Sequence, residues 1–427
     1  MKSFLDIIFF RTNNLDQISK SVKKLSQNSP ANKIFDAINS FTSESEIRYV
    51  GGCIRKIINE ELVDDIDMAT NLEPIQVCEA LKKKDINYYE TGIEHGTVTA
   101  FIEKFKFEIT SLREDISTDG RHAKVRFSKD WIEDASRRDF TINSIYSDID
   151  GNLFDPFDGK NDLKKGSIKF IGDIDKRIKE DYLRIIRYIR FFLNYSKQPH
   201  DPLVIKKLKI NIGGVSNISK DRLLDELRKM VNLETLKKLS KDHTCHDLIL
   251  LIFPELKKIR IFSKLNSDQK NILKKTDFIF LLSLLVIDKT DNTDYFLYKY
   301  NISKKDQKRI KIIDEFYKEK VNSKTFLEKN MNKLFYYNGK QAVLDIINFK
   351  IINSKKPDKK LDDLYQLYAN KNKPVMPIKA DVLMTKYKIP EGKQLGLKLK
   401  DIEKEWVRNN FKISDQQVDF IITTKRI

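Results

Sequence analysis

The feature that most restricts the fold of this chain is a change of apolar periodicity near Lys160. Residues 46–157 contain short β-type runs separated by glycines, whereas almost everything after Lys160 repeats apolar residues at helical spacing. Residues 97–102 and 105–110 are closely spaced strand-like runs, which predicts a hairpin with Phe107 on one face and Glu108 on the other. The pattern therefore predicts an α+β fold, with a small mixed-sheet head followed by helices.

The length of 427 residues predicts two or more domains. Helices are predicted over residues 181–192 and 221–231, and the lysine-rich stretch 354–373 is predicted to be a solvated face or a linker. The predicted divisions are an N-terminal helical extension (1–45), the head (46–160), an all-helical neck (161–235), and an all-helical body and tail (236–427).

The charge balance indicates a polyanionic partner, because 80 Lys and Arg against 62 Asp and Glu give a net charge of +18. General lysine enrichment of the source proteome is the alternative explanation. Three scattered cysteines fit a reducing cytoplasm. Residues 1–10 are predicted to form an amphipathic helix, and no stretch approaches the roughly 20 apolar residues that span a bilayer, so no membrane partner is expected.

Two acidic residues near the start of the head, Asp65 and Asp67, lie two apart. In an extended strand such residues share a face, so we predict a paired-carboxylate site for Mg²⁺, with Glu108 as a third catalytic carboxylate. A solvated turn is the alternative for an isolated pair of this kind.

Two glycines precede the acidic pair. Backbone N–H groups at Gly51 and Gly52 can approach a triphosphate closely, and Arg55 can neutralise it. We therefore predict that Gly51, Gly52 and Arg55 bind the triphosphate of a nucleotide.

The second polar cluster follows the hairpin. An Asp or Asn could accept hydrogen bonds from ribose hydroxyls, and a neighbouring Arg could bind a phosphate. A site with both groups could choose NTP over dNTP. A capped turn with a surface ion pair is the alternative. The predicted nucleotide-binding residues of this cluster are Arg137, Arg138, Asp139 and Asn143.

The third cluster lies at the start of a predicted helix. Asp181 and Arg184 are three apart and should be neighbours. A carboxylate accepts from the exocyclic amine that cytosine and adenine share, and a guanidinium donates to the adjacent acceptor. Uracil and guanine present the donor and the acceptor in the opposite order on this edge. The pair could therefore accept C and A while refusing U and G. An ordinary intrahelical salt bridge, with Arg187 and Arg190 as basic surface, is the alternative.

The order and spacing of these clusters resemble the class II family of CCA-adding enzymes and bacterial poly(A) polymerases, over roughly residues 46–231. The resemblance implies a nucleotidyltransferase head in which Asp65 and Asp67 bind catalytic metals. It also implies that Arg138 and Asp139 handle the ribose and that Asp181 with Arg184 selects the base. The further roles that it implies are contacts of Arg187 and Arg190 with nucleotide phosphates or primer, and bracing of the base-selecting helix by an arginine of residues 219–222.

Some residues depart from the family pattern. Lys56 replaces a usual acidic residue, Asp221 a usual Glu, and Ala380 a usual Gly, while Ser144 is commoner among poly(A) polymerases. The basic stretch 119–126 matches the position of the family's flexible loop.

The function that the resemblance implies is template-independent addition of CMP and AMP from CTP and ATP to the 3′ end of tRNA, with release of pyrophosphate. The expected partners are tRNA, CTP and ATP, with no obligate protein partner. A poly(A) polymerase and an A-only or CC-only tRNA enzyme remain alternatives, as does a non-catalytic RNA-binding protein. A small-molecule nucleotidyltransferase is disfavoured by the long basic body.

Overall fold

The structure, a computed structural model, describes residues 17–63, 65–118, 123–318, 326 and 328–424. The chain divides into two compact units. The first comprises residues 1–229 and 247–252, and the second comprises residues 230–246 and 253–427. The predicted amphipathic helix over residues 1–10 lies outside the described residues, as do residues 119–122 of the basic stretch.

A mixed β-sheet forms the centre of the first unit. Among the described residues, seven strands lie in the order β3-β4-β5-β2-β1-β8-β9, and β6 pairs with β7 separately. Strands β2 and β5 run parallel, whereas β4 and β5 form an antiparallel hairpin. The strands are β1 (Ile47–Val50), β2 (Ile66–Thr70), β3 (Asn87–Gly92), β4 (Thr97–Ile102), β5 (Phe105–Ser111), β6 (Arg113–Thr118), β7 (Ala123–Phe127), β8 (Tyr146–Ser147) and β9 (Leu153–Phe154).

The helices of the first unit cover the sheet and continue beyond it. They are α1 (17–28), α2 (Ala31–Asn39), α3 (Gly52–Ile58), α4 (Pro74–Lys83), α5 (Trp131–Ser136), α6 (Gly159–Lys165), α7 (Ile174–Glu180), α8 (Leu183–Tyr195), α9 (Pro202–Asn211) and α10 (Lys220–Met230). Short 3₁₀ turns cover Ile93–His95, Thr141–Asn143 and Ile212–Asn217.

The N-terminal helices belong to the core of the head. Val22 of α1 and Phe35 of α2 are buried in one cluster with Tyr49 of β1 and Phe107 of β5. The Phe35 and Tyr49 rings lie 4.9 Å apart, and the Tyr49 hydroxyl is 2.8 Å from Ser26 Oγ. The apolar face of the sheet is therefore covered by helices that precede it in sequence.

The helices after α10 form the rest of the chain. They are α11 (Leu233–Leu239), α12 (His243–Ile252), α13 (Ser267–Leu273), α14 (Phe278–Val286), α15 (Asn292–Lys299), α16 (Lys304–Lys318), α17 (Glu328–Asn338), α18 (Lys340–Asn353), α19 (Lys359–Asn370), α20 (Ala380–Tyr387), α21 (Lys393–Arg408) and α22 (Asp415–Thr423), with a 3₁₀ turn over Ile259–Ser263.

Within the second unit, helices α17 to α19 share one apolar cluster and helices α20 to α22 share another. Arg309 of α16 joins α18 by donating to both carboxylate oxygens of Asp345, at 2.6 and 3.0 Å. No helix of the described residues is both long and apolar enough to cross a membrane.

The structure confirms the predicted fold class and the hairpin, in which Phe107 is buried and Glu108 lies on the opposite face. The lysine-rich stretch 354–373 is not a linker, because α19 occupies most of it and buries Leu361 and Tyr368. The helix predicted from Asp181 begins later, at Leu183.

Candidate active site

Three carboxylates of the head lie in one cleft. Asp67 of β2 and Glu108 of β5 are partners in the parallel register, so their side chains leave the same face of the sheet. Asp65 is exposed and immediately precedes β2. All three residues line a cavity of about 740 Å³. The structure thus brings together the predicted acidic pair and the predicted third carboxylate.

The electrostatics of this cleft favour a cation. Burial raises the pKa of Asp67, and the charges of Glu108 and Asp65 raise it further, against the opposing guanidinium groups of Arg138 and Arg55. A divalent cation among these hard oxygen ligands would offset the repulsion between the carboxylates. The donor set therefore fits a divalent metal ion.

The paired glycines lie between the carboxylates and the Arg-Arg-Asp segment, residues 137–139. Gly51 has φ 65° and ψ −112°, a left-handed conformation that favours glycine, and its N–H donates to the Ile145 carbonyl at 3.1 Å. A Cβ at Gly51 would lie 3.4 Å from Arg138 Nη1, and a Cβ at Gly52 would lie 3.4 Å from Asp67 Oδ2. Glycine at both positions lets the turn approach both groups closely.

Arg55 lies beneath this turn. Its side chain is buried, with the guanidinium 4.8 Å from the Phe191 ring centroid and 5.2 Å from that of Tyr195. One guanidinium nitrogen donates to Asn143 Oδ1. These contacts tie Arg55 to Asn143 and to α8, and its contact with a triphosphate stays a prediction.

A buried carboxylate, Asp134, holds both arginines of that segment. Its side chain is 1% exposed and accepts from Arg137 at 2.6 and 2.8 Å, from Arg138 at 3.0 and 3.3 Å, and from the Tyr146 hydroxyl at 2.7 Å. Burial alone would raise the pKa of Asp134, but the guanidinium groups of Arg138 and Arg137 hold it below its usual range. Asp134 is therefore ionised and fixes both arginines.

Asp139 is the acidic centre of the segment. Its Oδ1 accepts from Asn143 Nδ2 at 2.8 Å and its Oδ2 accepts from Arg187 Nε at 2.6 Å. Burial opposes ionisation, yet the charge of Arg187 and the hydrogen bonds from Arg187 and Asn143 lower the pKa of Asp139 to about 2. The carboxylate is therefore ionised at neutral pH, and its Oδ1 also accepts from the Phe140 N–H at 2.9 Å.

The predicted base-selecting pair lies where α7 ends and α8 begins. Asp181 is extended, with φ −152° and ψ 104°, so it belongs to the break between the helices rather than to α8 itself. Its Oδ1 accepts from the Leu183 N–H at 3.1 Å, and its Oδ2 accepts from Arg222 at 2.7 Å. Arg222 thus contacts a member of the predicted base-selecting pair, and bracing of the helix by this arginine stays a prediction. Arg184 lies in the first turn of α8 and donates to the Arg137 carbonyl at 3.2 Å.

The two following arginines of α8 contact acidic side chains. Arg187 Nε bonds Asp139 and its Nη1 lies 3.6 Å from Glu226 Oε1, while Arg190 Nε donates to Glu226 Oε2 at 2.8 Å. Glu226, from α10, is 2% exposed. The predicted contacts of Arg187 and Arg190 with phosphates or primer stay predictions.

Sequence reasoning missed four residues of this network: Asp134, Tyr146, Arg177 and Glu226. Asp134 had a usable signal, since it lies three and four residues before Arg137 and Arg138, the spacing of neighbours on a helix. Tyr146, Arg177 and Glu226 reach the segment or α8 through tertiary contacts. No local pattern in the sequence marks those contacts.

An acidic cleft beside a glycine turn and an Arg-Arg-Asp segment is the arrangement that the family resemblance implied for a nucleotidyltransferase. Residues 47–169 match the family described as "Poly A polymerase head domain". Over 397 residues the chain is 32% identical to the human "CCA tRNA nucleotidyltransferase 1, mitochondrial", covering 89% of this chain and 87% of that protein. The chain belongs to the CCA tRNA nucleotidyltransferase family.

Solved structures share the fold. The Bacillus stearothermophilus CCA-adding enzyme, in complex with CTP, superposes with a TM-score of 0.65 at 18% identity, covering 96% of this chain and 97% of that one. The Thermotoga maritima CCA-adding enzyme, complexed with tRNA, superposes with a TM-score of 0.59 at 18% identity. The superposition covers 95% of this chain and 98% of that one. The likeness therefore extends over the helical part of the chain as well as the head.

Proposed function

We propose that the chain adds CMP and AMP from CTP and ATP to the 3′ end of tRNA without a nucleic-acid template, using Mg²⁺ and releasing pyrophosphate. The observation that carries this proposal is the hydrogen bond from Arg184 to the Arg137 carbonyl. It joins the residues that suit a base edge to the segment that suits a ribose, beside the carboxylate cleft.

The chemistry is an in-line displacement at phosphorus. The 3′-hydroxyl oxygen of the RNA forms a bond to the α-phosphorus of the nucleotide, and the hydroxyl proton is released to solvent. The bond from that phosphorus to the oxygen bridging to the β-phosphorus breaks, releasing pyrophosphate. Asp65 and Asp67 would hold Mg²⁺, with Glu108 beside them, and the bound ion would stabilise charge on the attacking and leaving oxygens. The protein's other contribution is positioning.

The remaining residues would orient the nucleotide. The Gly52 N–H suits a phosphate oxygen, whereas the Gly51 N–H already donates to the Ile145 carbonyl and Gly51 serves the close approach of the turn. The ionised Asp139 suits ribose hydroxyls. Asp181 and Arg184 would select cytosine and adenine by the amine and adjacent acceptor that these bases share. Such a pair can replace a template because one donor and one acceptor suffice to exclude uracil and guanine.

RNA binding is assigned by this proposal to the helical residues 236–427. Exposed lysines such as Lys304, Lys305 and Lys308 of α16 suit contacts with phosphates, which follow shape more than sequence. The Thermotoga enzyme, which shares this fold, was solved in complex with tRNA. A cytoplasmic location belongs to the same proposal, since Cys53, Cys78 and Cys245 are buried thiols that form no disulfide.

The experiment that tests this function uses pure protein, Mg²⁺ and tRNA that lacks one, two or three terminal nucleotides, with each NTP separately and with CTP and ATP together. Product length on a sequencing gel gives the answer. Completion of all three substrates, followed by a stop, supports the proposal. A long A-only product would instead indicate a poly(A) polymerase, and addition limited to A or to CC would indicate a partial enzyme. If no RNA is extended, the result would indicate a non-catalytic RNA-binding protein.

Binding of tRNA should weaken steeply as salt rises. Release of counterions gives log K a slope of roughly −0.7 to −0.9 against log salt for each phosphate neutralised, so several Lys and Arg contacts should cost orders of magnitude between 50 and 200 mM salt. Filter binding of labelled tRNA across this range measures the slope. A flat response would show that the net charge of +18 does not contribute to RNA binding.

A further inference from the structure

Arg177, in the last turn of α7, contacts the backbone of the Arg-Arg-Asp segment. One terminal nitrogen of its guanidinium donates to the carbonyl of Arg137 and also to the carbonyl of Arg138, the latter at 2.7 Å. The side chain is 12% exposed, so these bonds form largely out of water. Arg177 thus ties α7 to a segment about 40 residues earlier in the chain.

Arg177 and Arg184 share their acceptors. The Arg137 carbonyl accepts from both side chains, and Glu180 Oε2 pairs with Arg177 Nη1 while it accepts from Arg184 Nη1 at 3.0 Å. Arg184 Nη1 also donates to the main-chain carbonyl of Arg177, at 2.8 Å. Two guanidinium groups are therefore held side by side by one shared carboxylate and one shared carbonyl.

This arrangement sets where the Arg184 guanidinium lies. A charge-assisted bond to a carboxylate is roughly twice as strong as one to a neutral carbonyl. Without the Arg177 side chain, Glu180 would keep Arg184 as its cationic partner, and we expect Arg184 to move toward Glu180 and away from Arg137. The N–H groups that Arg184 presents to a ligand would move with it.

We propose that Arg177 is a positioning residue for base selection. It holds Arg184 in register with the Arg-Arg-Asp segment, so that the groups recognising the base and the ribose stay at a fixed separation. This inference rests on the proposed function, in which Arg184 recognises the base. It concerns a residue that does not itself touch the nucleotide.

The test compares R177M with wild type and with K179M in the full-length chain. Lys179 lies on the same helix and pairs with Asp175 at 2.6 Å, and it is 57% exposed, so K179M removes one positive charge of α7 without touching Arg184. Single-turnover addition to tRNA lacking its last nucleotides is measured for each NTP, giving kcat/KM ratios of CTP to UTP and of ATP to GTP. These ratios do not depend on the fraction of active enzyme.

We expect R177M to lower both ratios by roughly ten-fold, mainly through a higher KM for CTP and ATP, while K179M leaves them unchanged. R177K keeps the charge but not the planar fork, and should recover part of the selectivity. If R177M does not fold, R177Q is measured in its place.

Unchanged ratios, or an equal loss for all four nucleotides, would overturn the positioning role, because damage to the fold alone lowers all four rates together. In that case wild-type addition would leave the proposed function standing. A wild-type protein that extends no tRNA would overturn the proposed function, and the role of Arg177 with it.

Discussion

Replacing Asp67 or Asp65 by alanine should abolish nucleotide addition while the fold and tRNA binding survive. Loss of several kcal/mol of charge stabilisation in the transition state corresponds to a fall in rate of about a thousand-fold or more. Glu108→Ala should cost less, because the third carboxylate already forms an ion pair with Lys106. Single-turnover addition in Mg²⁺ measures the rates.

The stability of Asp67→Ala separates a lost site from a lost fold. The pKa of Asp67 is raised in the folded protein, so its ionised form is destabilised by folding at neutral pH. Removing the carboxylate should therefore leave the free energy of unfolding unchanged or slightly higher, as urea titration would show. Asp36→Ala is the matched control, since it removes an exposed carboxylate of α2 paired with Lys84 at 2.7 Å. Near wild-type turnover of either Asp65→Ala or Asp67→Ala would refute the metal assignment.

The alternation of apolar residues along the sequence was enough to predict the hairpin and the faces of its strands. A strand has a period of two, so burying Phe107 places Glu108 on the opposite face. The pairing of Glu108 with Asp67 was not predictable in this way. It depends on the parallel register between β2 and β5, which residues 71–104 separate along the chain.

The break between α7 and α8 could not be predicted from the sequence, for a different reason. Residues 174–195 have helical spacing throughout, and no Gly or Pro interrupts them. Asp181 is nevertheless extended, with its carboxylate bonded to the Leu183 N–H and to Arg222 of α10. A capping bond and a tertiary ion pair therefore override local helix propensity at the residue that the family resemblance assigns to the base.

The arginines of α8 explain why charge alone was a poor guide to contacts. Arg187 and Arg190 were predicted to contact nucleotide phosphates or primer, with basic surface as the alternative, and in the structure Asp139 and Glu226 bind them inside the unit. Glu226 lies on α10 and is buried. Its burial depends on tertiary packing, so the local sequence does not predict it. Much of the positive charge near the site therefore fixes the site's own carboxylates.

Alanine at Asp181 or Arg184 should relax discrimination against UTP and GTP. Asp181→Ala removes the acceptor for the amine that cytosine and adenine share, and Arg184→Ala removes the donor that faces their acceptor atoms. A site built to hydrogen-bond its substrate rejects one that leaves polar groups unpaired, at about 1–3 kcal/mol for each unmade bond. Either variant should therefore shift the CTP to UTP preference by roughly ten- to a hundred-fold. Single-turnover incorporation of all four NTPs measures the shift.

The alternative is that Asp181 and Arg184 only hold the helices together. Asp181 pairs with Arg222, and Arg184 donates to Glu180 and to two carbonyls, so either substitution will also cost stability. Such a loss lowers the active fraction equally for every nucleotide and leaves the ratios intact. Asp175→Ala is the control, because it breaks ion pairs with Lys179 of α7 and Lys207 of α9 without touching α8. Selectivity ratios of Asp181→Ala and Arg184→Ala that match those of Asp175→Ala would end the base-selecting interpretation, even if overall activity fell.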